Sequence, residues 1–90
     1  MARTVVPTNQ FKRDIKKLSI ELITPQWIEV MSCLISDLPL PVRFCNHALT
    51  GDKKHLMDCH VKPDLVLLYE YQNGTDLILH RLGSHSELKI

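Results

Sequence analysis

The sequence has no long apolar run, no Cys-x-x-Cys motif and no strong excess of charge of either sign. A membrane-spanning helix needs about 20 consecutive apolar residues, and no segment approaches that length. The N-terminal segment 1–7 also lacks the apolar core of a signal peptide. We therefore expect a soluble protein that stays in the cytoplasm and makes no membrane contact.

The cysteines are too few and too scattered to build a disulfide framework. There are three, an odd number, which is typical of proteins in a reducing compartment, so we expect free thiols. Cys45, His47, Cys59 and His60 are residue types that bind zinc. Cys59 and His60, however, are adjacent in a predicted strand and would point to opposite faces of it. We therefore expect no metal site and no cofactor.

Size and composition predict one small folded domain, residues 1–90. A chain of this length can form one modest core but not two. The hydrophobic content of 44% and the charged content of 23% are ordinary for a globular protein, so the chain should fold by itself. No low-complexity segment and no internal repeat is apparent.

The net charge of +1 is low for a protein that binds nucleic acid. Residues 1–20, however, carry five basic side chains against one acidic residue, Asp14. A run of this kind can contact phosphates, or it can be an ordinary solvated helix face. The candidate RNA-binding or ribosome-binding residues are Lys12, Arg13, Lys16, Lys17, Lys53 and Lys54.

The N-terminal segment predicts a short strand followed by an amphipathic helix. Residues 3–6 are rich in β-branched side chains, and Pro7 would end the strand. Thr8 or Asn9 can then cap the helix, because either side chain can accept a hydrogen bond from a backbone N–H group. The apolar stripe of this helix consists of Phe11, Ile15, Leu18 and Leu22.

A second helix is predicted from Thr24, a capping residue followed by proline at the first helical position. A stripe at helical spacing can be a groove for a partner, but it is more often part of a core. Here the stripe consists of Trp27, Ile28, Met31, Leu34 and Ile35. The proline-containing segment 38–41 would end the helix, and a connector follows up to residue 52.

The second half predicts three antiparallel strands, the first at residues 55–61 and the other two joined in a hairpin. Apolar, β-prone runs flank the Asn-Gly pair at 73–74, and both residues tolerate the positive φ angles of a type I′ turn. Counting outward from a two-residue loop places Val66 opposite Arg81. The predicted fold class is α+β: a short N-terminal strand, two helices on one face of a twisted antiparallel sheet, and a C-terminal three-strand meander. The other face of the sheet would be open to a ligand.

The open end of this hairpin is predicted to collect four chemically active side chains. Asp64 would lie opposite Gly83 and share a face with Arg81, since side chains alternate along a strand. His60 lies one short turn before Asp64, and His85 lies just past the strand that bears Arg81. We therefore predict two imidazoles, a carboxylate and a guanidinium at one edge of the sheet.

Such a set of side chains can cleave a phosphodiester bond of RNA. Attack by a 2′-hydroxyl on the adjacent phosphate needs a base, an acid and a cation beside the phosphate. Histidine suits both proton-transfer roles because its pKa of about 6.5 lies near neutral pH. Arginine offers a fork of donors to phosphate oxygens whose charge grows in the transition state. Taken singly, Asp64 and Arg81 can be a cross-strand ion pair, and the histidines ordinary surface residues.

Three segments of the second half, in their order and spacing, are specific enough to indicate a family. They are Asn46-His-Ala-Leu-Thr-Gly51, Cys59-His-Val-Lys-Pro-Asp-Leu-Val-Leu-Leu-Tyr69 and Arg81-Leu-Gly-Ser-His-Ser-Glu-Leu88. They resemble the YafQ branch of the RelE superfamily of bacterial mRNA interferase toxins, whereas the helical first half matches only in pattern. The resemblance implies a RelE-like fold.

The resemblance also implies a small toxin, a ribosome-dependent endoribonuclease that enters the A site and cuts translated mRNA. A cognate antitoxin, expected to be of the ribbon-helix-helix type, would hold it inactive and provide its only contact with operator DNA. The family's functional positions fall on His47, His60, Asp64, Arg81 and His85. His85 and either His60 or His47 would exchange protons. Arg81 would steady the phosphate, and Asp64 would orient an imidazole.

Two alternatives stay open from the sequence. The chain can be a catalytically weak or inactive toxin-fold module that binds the antitoxin and helps it to repress their operon. It can also be a standalone RNA-binding domain that uses the basic first helix. Growth arrest on expression would separate a toxin from the first alternative. Charge reversal at Lys12, Lys16 and Lys17 would test the second.

Overall fold

In the computed structural model, which describes residues 3–51 and 55–90, a five-stranded sheet carries the candidate site. The strands are β1 (Thr4–Pro7), β2 (His47–Ala48), β3 (Met57–Lys62), β4 (Leu65–Gln72) and β5 (Asp76–Gly83). The α-helices are α1 (Asn9–Leu18), α2 (Pro25–Ile35) and α3 (His85–Leu88). Short 3₁₀ turns lie at Ser19–Ile23 and Val42–Phe44.

The order of strands across the sheet is β1-β5-β4-β3-β2. Strands β2 to β5 pair antiparallel with their neighbours, whereas β1 pairs with β5 in parallel. The predicted α+β fold and C-terminal meander are confirmed, but the sheet is mixed and not purely antiparallel. β2 lies in the segment that we predicted as a connector, because a two-residue strand is too short to show alternation in the sequence.

Capping chemistry determines where the two longer helices begin. The Oγ1 of Thr8 accepts a hydrogen bond from the N–H of Phe11 at 3.1 Å at the start of α1. Thr24 accepts one from the N–H of Trp27 at 3.4 Å at the start of α2. Pro25 takes the first helical position, where a missing N–H costs no hydrogen bond. Both predicted helix starts are confirmed.

The buried face of α2 differs in part from the predicted stripe. Trp27 and Leu34 are buried as predicted, but Val30, absent from that stripe, is buried between them. Ile28 is 56% exposed, so its predicted place in the core is wrong. Val30 lies in the middle of the stripe at helical spacing, whereas Ile28 is turned about 100° away from Trp27.

The two faces of the sheet are covered unequally. The core between the sheet and the helices consists of Phe11, Trp27, Val30, Leu34, Phe44, Cys59, Val61, Leu65, Leu67, Tyr69, Leu77, Leu79 and Leu82. The opposite face carries a smaller apolar cluster of Leu56, Val66, Leu68 and Leu88. Leu88 belongs to α3, so the expectation of a fully open second face is wrong: the C-terminal helix covers part of it.

The β4–β5 hairpin has the predicted turn chemistry but begins its pairing one residue later. Asn73 and Gly74 have φ angles of 55° and 73°, as a type I′ turn requires. The N–H of Thr75 donates to the carbonyl of Gln72 at 3.2 Å and closes the turn. The first strand pair, however, joins Gln72 to Asp76, so the connecting loop has three residues and not two.

A β-bulge at His80 shifts the register a second time. Tyr69 pairs with Leu79, and Leu68 pairs with Arg81, so His80 is the extra residue on β5. Bulges of this kind commonly turn a side chain toward a functional site. Residues 77–82 contain no glycine or proline to signal it, but two consecutive polar residues, His80 and Arg81, separate the core residues Leu79 and Leu82.

The two shifts together move the end of β5 by two residues relative to β4. Val66 lies opposite Gly83, so the predicted pairs of Val66 with Arg81 and of Asp64 with Gly83 are wrong. Asp64 itself lies in the turn between β3 and β4. Because a shift of two residues preserves the alternation, Arg81 still belongs to the face of Val66, but it lies farther from Asp64.

No single helix within residues 3–51 and 55–90 is long and apolar enough to span a membrane. The helical stretches 9–23 and 25–35 reach such a length and composition only when taken together, and they are bent by 105° relative to each other.

Candidate active site

Three imidazole rings lie in a row on the sheet face opposite α1 and α2. Cys59 and Val61 point into the helix-facing core, so alternation along β3 turns His60 to the other face. The ring centroids of His60 and His85 are 4.8 Å apart and meet edge to face. Those of His60 and His47 are 6.4 Å apart. The fold therefore brings together three predicted site residues from β2, β3 and α3; we call them the histidine row.

His85 is held by Asp64 at one end of the histidine row. Asp64 Oδ1 accepts hydrogen bonds from the Nδ1 of His85 at 2.8 Å and from its backbone N–H at 3.1 Å. These bonds, the side-chain bond first, lower the pKa of Asp64 below the usual aspartate value. Because Nδ1 donates to Asp64, the Nε2 of His85 is the atom left for proton exchange.

The first turn of α3 fixes the position of His85. Ser84 Oγ accepts a hydrogen bond from the N–H of Glu87 at 3.2 Å, and the Glu87 carboxylate accepts one from the N–H of Ser84 at 3.1 Å. This reciprocal capping box satisfies two N–H groups at the helix start, and its bond from the Ser84 backbone lowers the pKa of Glu87. Leu88 is buried in the apolar cluster beneath. Polar and apolar contacts together orient the helix.

Asp58, at the other end of the row, was not among the predicted site residues. It is only 3% exposed, and its Oδ1 lies 3.0 Å from the Nδ1 of His47. That Nδ1 donates its hydrogen bond to the carbonyl oxygen of Cys45 at 2.8 Å, so Asp58 Oδ1 makes no hydrogen bond among the described residues. A carbonyl oxygen can only accept, so Nδ1 carries a proton and the Nε2 of His47 is left as the acceptor.

The sequence does contain a signal for Asp58. Asp58 stands two residues before His60 in a strand that alternates apolar and polar residues, and alternate residues of a strand share a face. This spacing places a carboxylate on the face of His60.

Arg81 is bound to Asp14 and not to Asp64. Its Nε and Nη2 donate to the two Asp14 carboxylate oxygens at 2.8 and 3.1 Å, and this pair raises the pKa of Arg81. Asp14 also accepts a hydrogen bond from the N–H of Leu82 at 3.0 Å. The alternative of a cross-strand ion pair between Asp64 and Arg81 is therefore wrong, since the observed register sets Arg81 opposite Leu68 and Asp64 pairs with His85.

Four of the predicted RNA-binding residues form the exposed side of α1: Lys12, Arg13, Lys16 and Lys17. A cavity of about 270 Å³ between α1 and β5 is lined in part by Arg13, Lys17 and Arg81. The basic side of α1 and Arg81 therefore border the same recess. Lys53 and Lys54, also predicted to bind RNA, lie outside the described residues.

The cysteines do not join the histidine row. Cys33, Cys45 and Cys59 are free thiols, as predicted. Cys59 lies in the helix-facing core, and burial raises the pKa of its thiol to about 12. Its orientation away from His60 confirms the predicted alternation. Within residues 3–51 and 55–90, no three His, Cys, Asp or Glu side chains are arranged to hold a metal ion.

The histidine row is suited to proton transfer at two points. The Nδ1 of each outer ring faces a fixed carboxylate, and His60 lies between them. The side chains of His47 and His85 are 56% and 38% exposed, so a substrate can reach them. Oriented and accessible imidazoles can remove a proton from one oxygen and give a proton to another.

The sequence as a whole is similar to bacterial toxins. A family model described as bacterial toxin of type II toxin-antitoxin system, YafQ, matches residues 3–90. A YafQ toxin of Haemophilus influenzae is 38% identical over 87 residues, which cover 89% of this chain and 85% of that protein. The mRNA interferase toxin YafQ of Escherichia coli is 33% identical over 92 residues, which cover 96% of this chain and 95% of that protein.

Solved structures show the same fold. A copper-bound mutant toxin from Helicobacter pylori superposes with a TM-score of 0.86 at 38% identity, over 98% of this chain and 99% of that one. The toxin in the Escherichia coli DinJ-YafQ toxin-antitoxin complex superposes with a TM-score of 0.81 at 30% identity, over 98% of both chains. The predicted RelE-like architecture is thereby confirmed.

Proposed function

The chain belongs to the YafQ family of toxins from bacterial type II toxin-antitoxin systems, and we propose that it is an mRNA interferase. It would act as an endoribonuclease on translated mRNA in the ribosomal A site. The observation that carries this proposal is the histidine row, in which Asp64 orients His85 and the Cys45 carbonyl orients His47 through their Nδ1 atoms. The activity agrees with the one for which the Escherichia coli relative is named.

The proposed reaction is an internal transesterification of RNA. One imidazole, with a neutral Nε2, removes the proton of a 2′-hydroxyl, and the 2′-oxygen attacks the adjacent phosphorus. The bond from phosphorus to the 5′-oxygen breaks as the new bond forms, and a second, protonated imidazole donates its proton to the leaving oxygen. The products are a 2′,3′-cyclic phosphate and a 5′-hydroxyl. The two histidines finish with their protonation states exchanged.

His85 and His60 form the proposed proton-transfer pair. Their rings are the two closest in the histidine row, at 4.8 Å, and a scissile phosphate next to this pair would have its attacking and leaving oxygens within reach of different rings. Asp64 orients His85 through Nδ1. His47 is the alternative partner for His85, because Asp58 and the Cys45 carbonyl engage its Nδ1 and leave Nε2 free.

Arg81 is proposed to bind the scissile phosphate. Asp14 engages Nε and Nη2 of its guanidinium, and the hydrogen bond from Leu82 to Asp14 holds that carboxylate in place. The Nη1 group is left for a phosphate oxygen. A guanidinium oriented in advance can stabilise growing negative charge without rearranging during the reaction.

The proposed partners are the ribosome with its mRNA and a cognate antitoxin. The exposed basic side of α1 would contact phosphates of the ribosome, which is why a low net charge can still support RNA binding. The DinJ-YafQ complex of Escherichia coli supports an antitoxin partner. We propose a ribbon-helix-helix antitoxin, with operator DNA contacted only through it.

Induced expression in bacteria tests the proposal. The wild type should arrest growth and produce in-frame cuts in translated mRNA, and His85→Ala should abolish both at matched protein levels. Ser86→Ala, an exposed neighbour on the same helix, is the matched control and should behave as the wild type. Arrest that persists in His85→Ala would contradict the site. Normal growth and intact mRNA with the wild type would contradict the ribonuclease and favour an antitoxin-binding module.

A further inference from the structure

A cavity of about 510 Å³ opens beside His60, at the edge of the sheet. Its lining consists of Gln26, Arg43, Phe44, Cys45, His60, Val61, Lys62 and Pro63. β2 pairs only with Met57 and Asp58, so the outer edge of β3 beyond Asp58 faces this cavity and has no neighbouring strand among the described residues. The cavity is thus continuous with the histidine row through His60.

Arg43 forms a flat, oriented wall of this cavity. Its guanidinium carbon lies 4.7 Å from the centre of the Phe44 ring, stacked over it, and Nη2 donates to the carboxylate of Glu29. The Arg43 side chain is still 61% exposed. The guanidinium therefore has an aromatic ring on one side, and more than half of the Arg43 side chain remains accessible to a ligand. Guanidinium planes of this kind stack on nucleobases.

The phenylalanine, tryptophan and tyrosine rings cannot supply this platform near the histidine row. Phe11, Trp27, Phe44 and Tyr69 are each less than a tenth exposed. Tyr71 is 40% exposed, but Arg3 already covers its ring at 4.0 Å. Single-stranded RNA binding normally relies on stacking platforms. Besides the imidazole of His60, which the proposed chemistry uses, the Arg43 guanidinium is an exposed flat group that lines this cavity.

The polar side chains around the cavity match a nucleotide. Gln26, in the first turn of α2, carries an amide that can both donate to and accept from a base edge. The Nζ of Lys62 pairs with Glu21 at 2.7 Å and remains 34% exposed, so it can also attract a phosphate. Pro63 supplies exposed apolar surface, while Phe44 and Val61 line the cavity from buried positions. A planar, polar-edged and anionic ligand is complementary to this combination.

We propose that this cavity binds the nucleobase of a nucleotide next to the scissile phosphate, stacked on Arg43 with its edge contacted by Gln26. The proposal rests on the ribonuclease function proposed above. In this arrangement Arg43 and Gln26 bind the substrate and contribute to the choice of cleavage site, while the histidine row carries out the chemistry.

Cleavage kinetics on ribosome-bound mRNA test the platform. Arg43→Lys keeps the charge but removes the flat guanidinium, so it should raise KM about tenfold, as Arg43→Ala should, with kcat nearly unchanged. Gln26→Ala should flatten the base preference beside the cut, read by sequencing the new 5′ ends. Arg3→Lys is the matched control, because Arg3 also stacks on an aromatic ring and pairs with a carboxylate, at the other end of the hairpin. It should leave KM and cut sites unchanged.

Binding without cleavage separates this proposal from the ribonuclease itself. NMR titration with a short 2′-O-methyl RNA, which cannot be cut, should shift the Arg43 Nε–H and Gln26 amide signals in the wild type. Such shifts without any wild-type cleavage would overturn the ribonuclease but keep the base site. Cleavage with no such shifts, or with the wild-type KM in both Arg43 variants, would overturn the base site. A wild-type KM in Arg43→Lys alone would show a charge contact and overturn the stacking.

Discussion

Besides the contact of His47 with Asp58, two carboxylate–imidazole pairs lie on the same face of the sheet, and they differ in what surrounds them. Asp64 Oδ1 lies 2.8 Å from the Nδ1 of His85, and Glu70 Oε1 lies 2.8 Å from the Nε2 of His80. The contact distances are equal, and all four residues belong to the second half of the chain. The residue types alone would therefore nominate either pair as a proton-transfer site.

Each pair also has a second imidazole beside it. His60 lies 4.8 Å from His85 between ring centroids, and His55 lies 6.4 Å from His80. Histidine clustering by itself is therefore no guide to which pair is catalytic. The difference must come from the surroundings of each pair.

Exposure and hydrogen bonding distinguish the two pairs. The side chains of Asp64 and His85 are 72% and 38% exposed, whereas those of Glu70 and His80 are 12% and 26% exposed. Glu70 Oε1 also accepts a hydrogen bond from Gln72 at 2.7 Å. The Glu70–His80 pair is therefore a structural contact beside the bulge. The Asp64–His85 pair lies at the open end of the sheet, where a substrate can enter.

The largest expected effect is on cleavage. His85→Ala should lower kcat for mRNA cleavage about 10²–10⁴-fold, the usual contribution of a general acid or base. His80→Ala should leave kcat within a few-fold of the wild type when both are assayed well below their melting temperatures. Equal losses in the two variants would mean that exposure does not distinguish the pairs.

Arg81 directly follows His80 in the chain. Variants of Arg81 test whether it acts in catalysis with the Asp64–His85 pair or stabilises the structure beside the Glu70–His80 pair. Arg81→Ala should lower kcat about 10²–10³-fold if the guanidinium stabilises charge on the phosphate. Asp14→Asn, which weakens the orientation of Arg81, should lower kcat by about tenfold and be less severe than Arg81→Ala. An Arg81→Ala enzyme with normal kcat but a lowered melting temperature would assign the arginine a structural role beside His80.

Removing the two carboxylates should have opposite consequences for activity and stability. Asp64→Asn should lower kcat about 10–100-fold, because His85 loses its orienting charge, and should change stability little. Glu70→Gln should preserve kcat but lower the free energy of unfolding by about 1–2 kcal/mol, since the carboxylate is largely buried and accepts two hydrogen bonds. Cleavage assays and denaturant unfolding give kcat and the free energy of unfolding for both variants. A loss of kcat in Glu70→Gln together with a loss of stability in Asp64→Asn would exchange the roles of the two pairs.

The smallest expected effect is the dependence of stability on pH at Asp64. Hydrogen bonds from His85 lower the pKa of Asp64 in the folded protein, so its contribution is fully present above the unfolded-state pKa of about 3.9. It is lost as the pH falls through the lowered folded value. The melting temperature of the wild type should exceed that of Asp64→Asn by about 1–2 °C at neutral pH, because Asp64 is exposed to solvent. The difference should vanish in strong acid; a constant difference would contradict the assignment.

Local features were predictable wherever short-range chemistry decides the conformation. Thr8 and Thr24 cap helices because their hydroxyls reach N–H groups three residues later. Asn73 and Gly74 form the turn because both tolerate positive φ. His60, Asp64 and His85 were placed together correctly from their positions at the ends of predicted strands. The resemblance to a toxin family added His47, which local pattern did not place near them.

The prediction failed where one residue changes a long-range relation. The extra residue at the hairpin loop and the bulge at His80 moved Arg81 away from Asp64. The bulge breaks the alternation of β5, since Leu79 and Leu82 both face the helices although they are three residues apart. The ion pair of Arg81 with Asp14 joins residues far apart in the chain. No local sequence pattern around either residue predicts its partner. The prediction did not include Asp58, although it stands two residues before His60 in the same strand.

The sequence by itself determined the two longer helices with their caps, the C-terminal strands, the turn residues and the residue types available for proton transfer, because each depends mainly on contacts within a few residues. Only the tertiary structure decided which carboxylate serves which imidazole, since that depends on strand register and on burial by distant elements. His85 and His80 are both histidines beside carboxylates. The end of the sheet leaves the first accessible, and the bulged middle of the sheet encloses the second.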